Sequence, residues 1–571
     1  MIRMSVTKLT MLAALLLLAV GCQQQDAAVA PPATSQLLVF GGPILTLDQA
    51  KVEATFEAKF EAKVEAMLVE EGVISALGDL IDLQALAPNA VKLDLAGRTA
   101  MPGFIDSHVH VRELGMDAIK ADLVGTVKVD EMVERLHLKF PTPKPGTWLI
   151  GQGWDEGAFA SRGYPDRAAL DAAFPDNPVY LESLHGFAGF ANGLALQAAS
   201  IDARTPDPEV GQILRRADGA PTGVLLTLAQ ALVSREVPAA DAAQLEQAII
   251  AGLNTMARAG VTSVHEAGMD GRDVTAFTHL AEQGKLPIRV YGMLNGNDAE
   301  LMQHWFARGP LSRPDGMLAI AAVKVFYDGS LGSRTAMLRA PYSDHPELAN
   351  PTERITPAAV KALADQAAAT GFQMAVHAIG DEGNDRTLTI FEKTLAAYPN
   401  QDHRWRIEHA QVVLPDYYQR VAKLGVISSM QSSHAMGDSA WAEDRVGSER
   451  IRYAYAWQRV LDNGGRLIIN SDLPGEPWTP AETLYFAVNR QKLDGTPAQG
   501  WYFGQALSVS QALQAMTLGG AHAAFQEAMI GSLAVGKAAD FIIVDNNPLT
   551  MAPRELANLQ VLATYVAGSK R

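Results

Sequence analysis

PGFIDSHVH, residues 102–110, is a short apolar strand pattern that opens on Pro102-Gly103 and closes on two histidines one residue apart. Side chains two positions apart on a strand share a face, so His108 and His110 can reach one ion. The segment as a whole runs 101–110, and seven more apolar, β-rich segments follow it: 261–267, 288–294, 318–329, 371–380, 405–411, 425–431 and 466–474. Helical patterns such as TPAAVKALADQAAA and PDYYQRVAKLG lie between the later ones. Eight buried strands with intervening helices predict an α/β fold, a (β/α)₈ TIM barrel over residues 101–530. The gap after the first strand is too long for one crossover. It predicts an inserted subdomain at about 112–245, rich in Trp, Pro and Gly.

Short strands broken by Gly and Pro also occupy both ends, as in QLLVFGGPILTL and GSLAVGKAADFIIVD. They predict one small β domain built from 35–100 and 531–571. Within it, KVEA, TFEA, KFEA and KVEA repeat with a period of four over 51–66. This reads as a local expansion in a surface hairpin or short helix, with no chemistry attached.

Barrel chemistry gathers where strands end. Strand one ends in His108 and His110, strand five in His377, strand six in His409 and strand eight in Asp472, while strand four carries Lys324. His409 and Asp472 are about twice as far apart as His377 and His409, which leaves room for strand seven. Each residue has a plainer reading. One histidine on a strand is ordinarily a hydrogen-bonded core or rim residue, and Asp472 can cap a following segment. Lys324 stands between Val323 and Val325, where an unpartnered charge is costly. It either snorkels or pairs with Asp328, or it is made anionic by carbamylation with CO2 and bridges two metals. Four histidines arriving at four suitable ends by accident is much less expected than any one of them.

PGFIDSHVH, KVFYDGSLGSRTA, VHAIGD, RIEHAQ, NSDLP and GSLAVGKAADFIIVD together resemble the amidohydrolase superfamily, specifically amidohydrolase family 3, over nearly the whole chain. The resemblance implies a metal-dependent barrel, with a β-sandwich built from 35–100 and 531–571, that hydrolyses amide or related C–N bonds of a small molecule. It implies one metal on His108, His110 and Asp472, a second on His377 and His409, and carboxylated Lys324 as bridge. His and carboxylate ligands suit Zn²⁺, with Mn²⁺ and Fe²⁺ left open. Asp472 is then also the catalytic proton acceptor. His185 (in LHGFAGFANGLAL), His265, Arg334 and His434 are candidate substrate contacts, the last two with a structural hydrogen bond as the alternative. Phe187 stands where many relatives carry a polar residue, which predicts a more apolar pocket.

The chain has 571 residues, 48% of them hydrophobic and 19% charged, which is a globular profile too long for one ordinary core. Its net charge of -16 argues against a phosphate-tracking nucleic-acid binder. The one cysteine, Cys22, rules out an internal disulfide and a cysteine-based zinc site. Arg3 and Lys8 precede an apolar run from Met11 to Val20, and Gly21, Cys22 and three glutamines follow. That layout is similar to a bacterial lipoprotein signal at 1–21, with Cys22 as lipid acceptor and 22–34 as tether, the alternative being an ordinary cleaved signal with an incidental cysteine. The run is too short to span a bilayer. Gln23 after the cysteine implies the outer membrane, so the protein is expected in the cell envelope facing the periplasm, held by lipid alone. A homodimer is left open. The competing function is a non-catalytic lipoprotein that binds a small molecule on the same scaffold. Retention of all six ligand residues favours the enzyme.

Overall fold

In the computed structural model the described residues are 36–48, 63–154, 164–183, 188–208, 211–347, 353–399 and 401–571. Cys22, the tether, His185, Phe187 and the first three units of the repeat lie outside them. Eight parallel strands form the barrel: β1 (Phe104–Val109), β2 (Val261–Met269), β3 (Arg289–Asn295), β4 (Leu318–Phe326), β5 (Gln373–Ala378), β6 (Arg406–His409), β7 (Ile427–Gln431) and β8 (Arg466–Asn470). Each of the eight predicted segments overlaps one of them, and six contain it whole. Buried on both faces, such strands read as near-continuous apolar runs, which is why the sequence shows them.

Closure occurs beyond the end of β8. Asp472 donates its N–H to the His108 carbonyl at 2.9 Å, and His110 donates to the Leu473 carbonyl at 3.0 Å. The stretches that carry the candidate ligands therefore seal the barrel.

The first predicted segment splits at Gly103. Thr99–Pro102 pairs antiparallel with Phe541–Val544 in the terminal sheet, and the barrel begins at Phe104. A Cβ on Gly103 would lie 2.1 Å from the Thr262 side chain, so only glycine lets the chain cross there. The terminal β layer is one continuous eight-stranded sheet. Its strand Gln36–Leu45 pairs with Val91–Asp94 through its first half and reaches Ala100 through Ile44, switching partners around Gly41, whose φ is +82. The last repeat unit, 63–66, is not helical, and its strand pairs antiparallel with Gln36–Leu45 as an arm of a hairpin. It opens the strand Lys63–Glu70, where Ala66 is fully buried.

Arg289 at the foot of β3 clamps this sheet to the barrel. It grips Asp540 with both arms, Nε to Oδ2 at 2.6 Å and Nη2 to Oδ1 at 3.0 Å, and both residues are buried.

The insertion has its own six-stranded sheet, from Ala121–Asp122 to Pro221–Thr227, and its own apolar core around Leu149, Trp154, Leu181 and Phe190. Helix Ala242–Arg258 then returns the chain to β2. Asp241 and Gln244 start it with a reciprocal capping box. The last residues of the interval expected for the insertion thus lie in a helix that leads into the barrel. Among the described residues, no helix is long and apolar enough to cross a membrane.

Candidate metal centre

The six ligand candidates come from five strand ends and gather at the carboxyl mouth of the barrel. Asp472 is the hub. Its Oδ1 lies 3.3 Å from His110 Nε2 and 3.5 Å from His108 Nε2. Its Oδ2 lies 3.6 Å from His434 Nε2 and 3.8 Å from His409 Nδ1. The His377 and His409 rings stand 4.5 Å apart between centroids, and those of His108 and His409 5.2 Å apart.

The backbone is bent to achieve this. Asp472 has φ 56, His409 φ 75 and Ala410 φ 42, a left-handed region that costs non-glycine residues about 1–3 kcal/mol each. Buried Asp106 supports the bend, accepting from the Ser471 N–H at 3.1 Å and the Ser471 hydroxyl at 2.6 Å. Burial pushes the Asp106 carboxyl up to about 7.

Neighbours decide which ring nitrogens face the centre. His108 Nδ1 meets Glu408 Oε2 at 2.5 Å, leaving Nε2 inward. His377 Nε2 lies 3.1 Å from the Gly329 carbonyl, leaving Nδ1. His409 Nδ1 lies 2.9 Å from Gln431 Oε1, and Gln431 is in turn anchored on Asn470 at 2.7 Å. Such outer contacts fix tautomer and ring orientation at metal sites.

The protonation states match. Burial, then Lys324, lowers His108 to about 4 and His377 to about 3. Burial, then His377, holds His409 well below its ordinary value. Burial alone would raise Asp472, but His108, His110 and His409 outweigh it and hold the carboxyl well below its usual range. Neutral imidazoles around an ionised carboxylate are the state that binds a divalent transition ion, so the residues present fit one.

Lys324 is fully buried, and burial lowers it to about 8 against the pull of Glu408 and Asp472. Its Nζ lies 3.0 Å from His108 Nε2. The alternative partner, Asp328, is otherwise engaged: it accepts backbone N–H groups of Met337, Ile379 and Gly380 at 2.9–3.0 Å.

The less certain contacts fall in different places. His434 joins the centre through Asp472. Arg334 grips Asp344 at 3.2 and 2.7 Å, which is the structural alternative. His265 is fully buried in β2, with Nδ1 2.9 Å from Arg406 Nη1, so it sits in the barrel interior and not on an exposed pocket wall.

Beneath the centre lies a charged pair that the strand-end pattern does not single out. Arg406 and Glu408 are both fully buried and linked Nε to Oε1 at 2.6 Å and Nη2 to Oε2 at 3.0 Å. Arg406 also holds the Ser107 carbonyl at 2.6 Å. Burial opposes ionisation of Glu408, but Arg406 and His108 hold its carboxyl well below the usual range. The available signal was RIEH itself: two opposite charges two residues apart, hence on one face, within a buried strand.

Residues 92–569 match the model of the amidohydrolase family described as Amidohydro_3. YtcJ of Bacillus subtilis (strain 168) is 31% identical over 511 residues, covering 88% of this chain and 95% of that protein. The N-substituted formamide deformylase of Arthrobacter pascens is 29% identical over 527 residues, covering 89% and 94%. An uncharacterized metal-dependent hydrolase from Pyrococcus horikoshii OT3 superposes with a TM-score of 0.72 at 29% identity, over 91% of this chain and 99% of that one. With the barrel, the terminal sheet and the histidine–aspartate mouth in place, these matches make the chain a member of the amidohydrolase family, a metal-dependent hydrolase.

Proposed function

We propose that the protein hydrolyses an amide-type C–N bond of a small molecule, using water activated at two zinc ions held by His108, His110, Asp472, His377 and His409. The observation that carries this is Asp472, ionised and flanked by histidines on both oxygens at the barrel mouth. A bound divalent ion lowers the pKa of its water from 15.7 to about 7 and polarises a carbonyl. Asp472 then accepts the water proton and returns it to the leaving nitrogen. His108, held by Glu408, and His409, held by Gln431, keep the imidazoles in place through the cycle. The relative acting on N-substituted formamides makes that class the first to screen. Purified chain given zinc is expected to hydrolyse members of an amide library, to lose activity to a chelator, and to regain it with zinc, manganese or iron(II). Absence of stoichiometric metal after growth with zinc would sink the proposal.

Carboxylation of Lys324 belongs to the same reading. The neutral amine adds CO2 to form a carbamate and releases one proton, so the step needs Lys324 unprotonated. With its pKa near 8, lowering the pH to 6 leaves roughly one amine in a hundred neutral. Reconstitution of metal-free protein with zinc and bicarbonate is therefore expected to be far slower at pH 6 than at pH 8. A rate that ignores both bicarbonate and pH would argue for a plain amine.

We also propose that Cys22 carries the lipid anchor. Wild type is expected to fractionate with membranes and Cys22→Ser to be soluble and equally active, because several acyl chains hold a protein where none does not. A Cys22→Ser variant that resists a carbonate wash would show another anchor.

A further inference from the structure

Between the insertion and the outer helices of the barrel lies a cavity of about 410 Å³. That is the size of a small-molecule site, and such sites favour the junction of two domains. One wall is the sheet of the insertion. Along Leu149–Trp154 and Val179–Ser183, Leu149 and Leu181 enter the insertion's own core, so Ile150, Tyr180 and Glu182 face the cavity. The other wall is helix Val111–Ile119, which starts directly after His110 and brings Met116 and Ile119. Helix Ala242–Arg258 backs it at the closest approach two helices allow. A Cβ on Gly115 would lie 1.7 Å from the Ala248 carbonyl oxygen, and one on Gly252 2.6 Å from that of Val111. The two helices thus form one stiff wall.

We propose that this cavity binds a primary amine with an aromatic tail. Phe140, Trp148, Ile150 and Val237 offer the tail an apolar enclosure. The polar end is acidic. Lys120 Nζ donates to Asp117 at 3.2 Å, to Gln152 at 3.2 Å and to Glu182 at 2.8 Å, so its three N–H groups are engaged and none is left for an anion. One ammonium between two carboxylates leaves a negative charge in excess. Among the described residues, Glu182 Oε1 has no hydrogen-bond partner, and neither has the hydroxyl of buried Tyr180. Both residues line the cavity, and both oxygens can accept from an ammonium group. The faces of Phe140 and Trp148 add attraction for a cation. Lys120 stands one nine-residue helix beyond His110, about 13 Å along its axis, so an occupant here does not touch the reacting atoms. Amide hydrolysis releases an amine, so the class that fits this second site is also that of the leaving product in the proposed reaction.

The test is calorimetric titration of the full-length, metal-loaded chain with 4-phenylbutylamine, alongside the neutral 4-phenylbutanol and the anionic 4-phenylbutyrate. Wild type is expected to bind the amine at least roughly tenfold more tightly than the alcohol, and the acid not at all. Glu182→Gln is expected to weaken amine binding by at least roughly tenfold and to leave the alcohol unchanged. Ile150→Trp fills the cavity and is expected to remove the binding event, while any amine held at the barrel mouth is retained. Should Ile150→Trp fail to fold, Val237→Phe is read the same way. Identical isotherms for wild type and the cavity-filling variant, or no binding by wild type, would overturn the site. Equal affinity for amine and alcohol, or for wild type and Glu182→Gln, would overturn the cationic ligand. The outcome is separable from the proposed function: a chain that hydrolyses amides without binding the amine here loses this inference alone, and one that binds the amine without hydrolysing any amide loses only the function.

Discussion

Asp472→Asn is expected to lower kcat by about three to four orders of magnitude on any amide the wild type hydrolyses. Two losses combine. Asparagine cannot take up the proton of the attacking water, and it removes the negative charge on which two histidine pairs converge. Because the carboxyl is held well below its usual range, wild type keeps this base ionised at every pH from weakly acidic upward. The variant is also expected to bind metal more weakly, by elemental analysis after dialysis against chelator. Folding should survive, since the closing hydrogen bond from residue 472 to the His108 carbonyl comes from the backbone. A variant that keeps more than a tenth of wild-type kcat would remove Asp472 from the proton transfer.

The second large effect is on stability. Arg406→Met leaves Glu408 ionised and fully buried with its principal counter-charge gone, which is expected to cost about 3–5 kcal/mol in chemical denaturation. The double variant Arg406→Met with Glu408→Leu is expected to recover much of that loss, because an apolar pair of similar volume needs no desolvation. Metal affinity should not recover with it. His108 Nδ1 then has no carboxylate at 2.5 Å to set its tautomer, and losing such a contact weakens a metal site about 10–100-fold. Recovery of stability and metal affinity together would make Arg406 and Glu408 structural only.

That network also shows where reading along the chain stops. His108 and Glu408 are 300 residues apart, and local periodicity says nothing about which strand-six side chain lies under which strand-one ring. From the sequence alone His434, three residues past the end of β7, reads equally as a substrate contact or a structural hydrogen bond. The first turn of the next helix turns it toward Asp472. The alternative partner for Lys324 looked equally local, four residues away at Asp328. The structure gives Asp328 to backbone N–H groups around Gly380 instead.

The barrel is legible along the chain. Parallel strands buried on both faces must be apolar throughout, and the Gly and Pro breaks between them are visible without coordinates. The histidines and the aspartate at the strand ends are legible too, because a strand's direction puts its last residues at one common mouth. Three features emerge only when the chain is folded. The terminal sheet hands over to the barrel at Gly103, where a Cβ would strike Thr262. The closure through Asp472 and Leu473 places the hub carboxylate between two histidine pairs. And the nitrogen each histidine offers is set by Glu408, Gly329 and Gln431, groups brought in from other strands and loops. The physical reason is range: burial and alternation are properties of neighbours in the chain, whereas the orientation of a ligand depends on a hydrogen bond to whatever the fold packs behind it.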